Sequence, residues 1–252
     1  MTNARGIDVS EHNPWVTRDL LVEWKMRYPG MCYGYRRTYI GSRRDPYGPE
    51  HLTRMQAAGY MTGPYGVPFE TGPLENQPLT EQCRRFIASR DAADSLPNWV
   101  DVERTGLTEK MLEDWCDYYD DHTDVPLWVY TSQTLWHRII KVNHSRYTKY
   151  GLVVADYGPG TLTSQRWITP EGRPLIPKPW AFRAPPYYDI FQYAGDNGRL
   201  FGSPPGKGID LSEYNGTEAD LRALVQAPAP PPVPDQSKTI VSLHAQAILE
   251  II

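Results

Sequence analysis

Two acidic residues near the middle of the chain have a spacing that suits acid catalysis. Asp101 and Glu103 belong to the segment WVDVE at 99–103, and residues two apart on a strand share a face. Val100 and Val102 then face the opposite layer. Two carboxylates on one buried face repel each other, which raises the pKa of at least one. A carboxylic acid that keeps its proton near neutral pH is what a general acid requires.

A repeated motif brings two further acids into consideration. Residues 6–13 read GIDVSEHN and residues 208–215 read GIDLSEYN, so six of eight positions match. The two copies fall on the first and the last predicted strands, which are neighbours in a closed barrel. We therefore expect Asp8 and Asp210 to emerge side by side. Two plainer explanations exist: an Asp-x-Ser sequence suits many strand exits, and an Asp-x-Glu pair alone could bind backbone amides or a cation.

The elements that position these acids alternate between strands and helices. Short apolar runs predict strands at 6–10, 31–36, 63–67, 99–103, 127–131, 152–155, 190–193 and 208–211. Helical patterns lie between them at 17–27, 49–58, 78–93, 108–122 and 132–141. Eight strands, most of them separated by helices, predict an α/β fold built as a β/α barrel with a largely parallel sheet.

Three segments lack this alternation of strands and helices. Residues 158–189 hold seven prolines and no helical period, which predicts a long ordered excursion over one end of the barrel. After a catalytic domain at 1–225, residues 226–236 read QAPAPPPVPDQ, a stiff spacer. Residues 237–252 have the apolar spacing of one amphipathic helix, which is marginal alone. We expect this tail to anchor the protein or to drive self-association.

Composition excludes several classes of protein. Lys and Arg number 26 and Asp and Glu number 30, a balance that argues against nucleic-acid binding. Three cysteines without a CxxC pair exclude a disulfide scaffold. No apolar run approaches a membrane span of about 20 residues, and no apolar segment precedes the first strand, so we expect no signal peptide. The histidines lack metal-ligand spacing, and phosphate loops and serine or cysteine nucleophile elbows are missing.

Short motifs follow one another along residues 6–224 in a distinctive order: GIDVS at 6–10, Arg36, GPY at 63–65, LP at 96–97, DVE at 101–103, VYTS at 129–132, VADY at 154–157, FQY at 191–193 and GIDL at 208–211. This series resembles the glycoside hydrolase family 25 muramidases, the Chalaropsis-type lysozymes that cut peptidoglycan, and in particular their phage variety.

The resemblance implies a flattened, irregular barrel of the TIM type with an acidic groove at the carboxyl ends of its strands. It implies hydrolysis of the β-1,4 bond between N-acetylmuramic acid and N-acetylglucosamine, without metal or cofactor. The catalytic residues would be Glu103, as general acid/base, with Asp8, Asp101 and Asp210 around it. The expected substrate-binding residues are Tyr65, Tyr130, Tyr157, Gln192, Tyr193 and Arg36.

Three questions remain open at this level. The charge that develops on the sugar is met either by Asp210 as nucleophile or by the substrate's acetamido group, with Asp101 orienting it. Gly66 stands where the family often has a histidine, and Phe191 stands where it has a tryptophan. A non-catalytic glycan-binding or virion module on the same barrel is therefore the alternative function. An arginine-rich segment at 36–45 is either a contact for wall phosphates or a solvated loop.

The expected partners are peptidoglycan strands and, through residues 237–252, virion tail proteins or a second copy. The expected place of action is the bacterial cell wall. The protein would reach it by release from the host cytoplasm or as cargo of a phage virion. A secreted lysozyme that has lost its leader is a further possibility.

Overall fold

Strands and helices alternate along the chain in the computed structural model, which describes residues 2–69, 77–104, 106–140, 145–157, 175–177, 180–182 and 188–226. The strands are β1 (Asn3–Val9), β2 (Met31–Ile40), β3 (Arg43–Arg44), β4 (Met61–Val67), β5 (Asn98–Asp101), β6 (Leu127–Thr131), β7 (Gly151–Ala155), β8 (Ile190–Gly198) and β9 (Ile209–Thr217). The α-helices are α1 (Arg18–Arg27), α2 (Gly48–Ala57), α3 (Leu79–Ala88), α4 (Glu109–His122), α5 (Gln133–Ile139) and α6 (Glu218–Gln226). Two short 3₁₀ helices cover Ser145–Lys149 and Trp180–Phe182.

Eight of these strands close into a barrel, which confirms the predicted fold class. The order is β1-β9-β8-β7-β6-β5-β4-β2, and β1 pairs with β2 to complete the ring. The short β3 extends β2 as an antiparallel edge. The last strand departs from the expected parallel sheet, because β9 runs antiparallel to both β8 and β1. Residues 199–208, which connect β8 to β9, are too few for the crossover that a parallel pair needs.

The barrel strands separate two apolar layers. Inside the barrel, aromatic rings stack on one another: Trp99 lies 3.6 Å from Tyr35 and 6.1 Å from Tyr130 between ring centroids. On the outside, Val100 and Val102 pack with the helices, as the alternation of strand residues predicts. Gly6 is required where the ring of Tyr33 crosses it, because a Cβ atom there would lie 2.0 Å from that ring.

Most predicted strands and helices are present, with boundaries shifted by a few residues. The structure adds β3, both 3₁₀ helices and α6, which the sequence did not predict. The predicted spacer, apart from Gln226 at the end of α6, and the whole predicted tail helix lie outside the described residues, as does most of the excursion at 158–189. The three cysteines are free and buried.

Candidate active site

Asp8 and Asp210 are neighbours across the seam where the barrel closes. They occupy directly opposed positions on β1 and β9, a placement that brings Cβ atoms to about 4.5–5.5 Å from each other. Asp8 is buried and Asp210 is partly exposed. The expectation that these two acids lie side by side is confirmed.

Asp101 is the last residue of β5, and Glu103 follows at the mouth of the barrel. The ladder continues one step past the strand, because the Val102 amide donates to the Tyr130 carbonyl at 2.8 Å. Asp101 is buried, whereas Glu103 is partly exposed. Burial raises the pKa of Asp101 well above its ordinary value, and the nearby negative charges of Glu103 and Asp8 raise it further. Its Oδ1 atom is buried without a hydrogen-bond partner among the described residues, which favours the neutral form.

The tyrosines predicted to line the site surround this cluster of acids. Burial raises the pKa of the Tyr65 hydroxyl, and the charges of Asp8, Asp210 and Asp101 raise it further. For Tyr130 and Tyr157, burial is again the largest cause; the acids that raise the pKa further are Glu103, Asp101 and Asp8 for Tyr130, and Asp210, Asp8 and Glu103 for Tyr157. The structure thus brings the four predicted catalytic carboxylates to one place.

Gln192 joins the tyrosines to the acids from inside the barrel. Its Oε1 accepts hydrogen bonds from the hydroxyls of Tyr130 at 2.7 Å and Tyr157 at 2.5 Å. Its Nε2 donates to Asp8 Oδ2 at 2.7 Å. The side chain is only 1% exposed. Both polar atoms of Gln192 are therefore engaged with protein groups away from solvent, and its contact with substrate stays a prediction.

Two other residues predicted to bind substrate, Arg36 and Tyr193, face the outer layer. Arg36 lies in the outer layer, where its guanidinium forms a two-pronged ion pair with Asp94 at 2.5 and 2.8 Å. Tyr193 is fully buried in the outer apolar cluster and packs edge-on against Phe191. Both residues sit next to an inward-facing residue on their strand, so alternation turns them towards the helices.

Arg37, the neighbour of Arg36 in the arginine-rich segment, is one of two arginines whose charges act on the cluster of acids; the other is Arg104. Arg37 donates to Asp45 at 2.9 Å and to Glu11 at 2.7 Å, and its charge acts to lower the pKa of Asp101. Arg43 also pairs with Glu11 and is the main reason that the pKa of Glu11 falls to about 2. These ion pairs already engage much of the arginine-rich segment. The alternation of side chains along a strand indicates that Arg37 faces inward, since it is two residues from the inward-facing Tyr35.

A cleft of about 230 Å³ opens beside Glu103 at the carboxyl ends of β6 and β7. The N-cap residue of α5, Ser132, lies on its wall and accepts a hydrogen bond from the Leu135 amide at 3.2 Å. The lining residues are Glu103, Tyr130, Ser132, Gln133, Thr134, Leu135, Ala155, Asp156, Tyr157 and Leu175. Glu103 is therefore placed to meet a molecule bound in the cleft.

Gly66 and Phe191, the two residues that depart from the motifs of the resemblance, face away from this cleft. A Cβ atom at Gly66 would lie 2.7 Å from the ring of Phe86 on α3, so a larger residue has no room there. Phe191 packs in the outer apolar cluster between Tyr188 and Tyr193. Neither substitution changes the surface that the acids share.

Neither a metal site nor a membrane-spanning helix is found among the described residues. Within the described ranges, no group of histidine, cysteine, aspartate and glutamate side chains is arranged to hold a metal ion. No helix among those residues has both the length and the apolar character needed to span a bilayer.

Comparison with solved structures shows what this fold is similar to. The muramidase from Trichobolus zukalii superposes with a TM-score of 0.65 and 21% identity over 88% of this chain and 99% of its own. The bacterial lysozyme from Streptomyces coelicolor gives 0.65 and 21% over 89% and 98%. The family GH25 lysozyme from Aspergillus fumigatus gives 0.65 and 21% over 90% and 100%. The chain thus has the barrel fold of the GH25 lysozymes. The sequence matches no protein-family model and no curated protein.

Proposed function

We propose that this protein is a peptidoglycan hydrolase, a muramidase that cleaves the β-1,4 bond between N-acetylmuramic acid and N-acetylglucosamine. The observation that carries the proposal is the convergence of Asp8, Asp101, Glu103 and Asp210 beside an open cleft. A shared fold alone does not assign an activity. A cluster of acids with a strongly raised pKa at its centre is, in contrast, what glycosidic bond cleavage needs.

The proton for the leaving group comes from the Asp101–Glu103 pair. Asp101 is buried and its pKa is raised, so the pair holds a shared proton to higher pH than an ordinary carboxyl group does. Glu103 is the member that lines the cleft. It therefore delivers the proton to the glycosidic oxygen as the C–O bond breaks, and it later activates the water that completes hydrolysis.

The positive charge that develops on the sugar needs a partner on the other side of the cluster. Asp210 is a candidate nucleophile because it is partly exposed next to Asp8. The alternative is attack by the acetamido oxygen, oriented by Asp101. Mass spectrometry of enzyme trapped with a slow fluorinated glycoside separates the two routes, since only the first leaves a sugar on Asp210.

The test of the function compares Glu103→Gln with wild type on purified cell wall and on soluble glycan fragments. We expect a loss of about 10²- to 10⁴-fold, the usual contribution of a general acid. The matched control is Glu218→Gln, the same chemical change on α6 outside the barrel, where Glu218 pairs with Arg222. Equal clearing by wild type and Glu103→Gln would refute the role of Glu103, and no clearing by either would leave the non-catalytic glycan-binding module as the function.

We also propose that the protein is a phage lysin, free or attached to the virion, with residues 1–225 as its catalytic unit. The support is the sequence pattern of a proline-rich spacer at 226–236 followed by an amphipathic segment at 237–252. An amphipathic segment joined to the barrel by a spacer suits an anchor. Removing residues 237–252 should leave hydrolysis of soluble fragments intact and abolish assembly, as measured by light scattering and by incorporation into virions. Lost hydrolysis with unchanged assembly would contradict this role.

A further inference from the structure

Gln192 occupies a chemically constrained position between two tyrosines and an acid. The oxygen of a glutamine amide only accepts hydrogen bonds and its nitrogen only donates. The Asp8 carboxylate, when ionised, also only accepts, so it must face Nε2. A reversed amide would place two acceptors against each other. Asp8 and the amide orientation are therefore linked.

The tyrosines hold the amide in this orientation. Each phenol has one proton to donate, and the hydroxyls of Tyr130 and Tyr157 both donate to Oε1. Their oxygens lie 3.2 Å apart, so they converge on the same atom. With Oε1 held from one side, Nε2 is left pointing at Asp8 from the other.

We propose that Gln192 is a positioning residue that keeps Asp8 ionised while the rest of the acid cluster retains a proton. A hydrogen bond donated to a carboxylate favours its charged form. Because interacting carboxylates share protons, a proton kept away from Asp8 stays with Asp101 and Glu103, where the glycosidic bond breaks. This role rests on the proposed hydrolase function.

The charges around Asp8 show why such help is needed. The cluster contains three other carboxylates, which oppose ionisation of Asp8, and two arginines, Arg104 and Arg37, whose charges act on Asp101 in the same cluster. The charged and titratable groups that face this region from the neighbouring strands are Asp210, Asp101, Glu103, Arg104, Arg37, Tyr65, Tyr130 and Tyr157. The amide of Gln192 supplies a donor to Asp8 without adding a further charge.

Two substitutions of similar size separate this role from simple packing. Gln192→Met cannot donate, and we expect it to lose about 10- to 100-fold in kcat, the range for a lost hydrogen bond to a charged group. Gln192→Glu cannot donate as a carboxylate but can when protonated. Its activity should therefore recover as the pH falls from 7 towards 5, whereas that of Gln192→Met should not. Parallel pH profiles for wild type and both variants would overturn the proposal.

A measurement that does not depend on hydrolysis completes the test. The carboxyl carbon of Asp8, assigned by its loss in Asp8→Asn, is titrated by NMR in wild type and Gln192→Met. We expect the midpoint to move to higher pH in the variant, and also in Tyr130→Phe/Tyr157→Phe, which leaves both Gln192 and Asp8 in place. Unchanged midpoints in both would overturn the positioning role. A wild type that does not cleave cell wall would instead refute the proposed function, and the titration would still decide this inference.

Discussion

Asp8 pairs with Asp210 because the repeated motif pairs with itself. Gly6 lies opposite Ser212, Ile7 opposite Leu211 and Asp8 opposite Asp210. The two GID-x-S copies therefore pair in opposite directions and are related by a local twofold axis that passes between the two aspartates. This antiparallel arrangement places both acids at the same depth in the barrel, although Asp8 lies near the end of β1 and Asp210 lies near the start of β9.

The first prediction concerns this pair. Like charges directly opposite each other on neighbouring strands destabilise the pairing by about 0.2–1 kcal/mol. Asp210→Asn should raise the free energy of unfolding by that amount in urea denaturation at neutral pH, while wall hydrolysis falls. Asp8→Asn/Asp210→Asn should add little further stability, because the repulsion is already relieved. A destabilised Asp210→Asn protein would show that the charge is compensated locally.

The second prediction is a pH dependence of stability that comes from Asp101. The unfolded chain ionises this residue near pH 3.9, whereas burial raises its pKa in the folded protein. The folded state therefore binds the proton more tightly. The resulting contribution to stability is complete below the unfolded pKa and is lost as the pH rises through the folded pKa.

Asp101→Asn does not titrate, so its stability advantage over wild type should be absent near pH 4 and grow with pH. The slope can reach about 1.4 kcal/mol per pH unit. Urea denaturation between pH 4 and 8 measures it, with Asp121→Asn on the exposed face of α4 as the control. An advantage that is independent of pH would mean that Asp101 is ionised in the folded protein.

A third prediction concerns the ion pair of Arg36 with Asp94, which we expect to contribute to stability rather than to substrate binding. Removing one partner of a buried ion pair costs about 3–5 kcal/mol. Arg36→Met should therefore lower the free energy of unfolding by this amount, because Asp94 is left charged in the outer layer. Arg36→Met/Asp94→Asn should recover part of the loss. KM per folded molecule should stay at the wild-type value; a raised KM would return Arg36 to the binding surface.

A fourth prediction addresses Tyr193. Its hydroxyl is buried and has no hydrogen-bond partner among the described residues. An unpaired buried polar group costs about 1–3 kcal/mol, so Tyr193→Phe should be at least as stable as wild type in thermal melting. KM should not change. Tyr157→Phe is the matched comparison at the cleft, where loss of the bond to Gln192 should reduce kcat.

Sequence reasoning found the strands and the acids, and it failed where it needed to know which way a side chain points. Asp8, Asp101, Glu103 and Asp210 were identifiable because carboxylates at strand ends stand out against apolar runs. Both faces of these strands are buried, so the pattern does not say which of two adjacent residues faces inward. The sequence alone therefore does not distinguish Tyr193 from Gln192, or Arg36 from Arg37.

The direction of β9 was beyond the same reasoning. A strand has the same alternation in either direction, and only the length of the connection from β8 signals an antiparallel return. The repeated motif was the stronger clue, since it identified which strands meet. The motif did not indicate that the two strands run antiparallel.

Half of the acid cluster depends on strand β9, which is nearly the last part of the barrel to leave the ribosome. A nascent chain that ends before residue 209 has Glu103 and Asp101 but lacks the seam that holds Asp8 against Asp210. Under the proposed function, chains that stop before β9 should therefore be inactive as hydrolases.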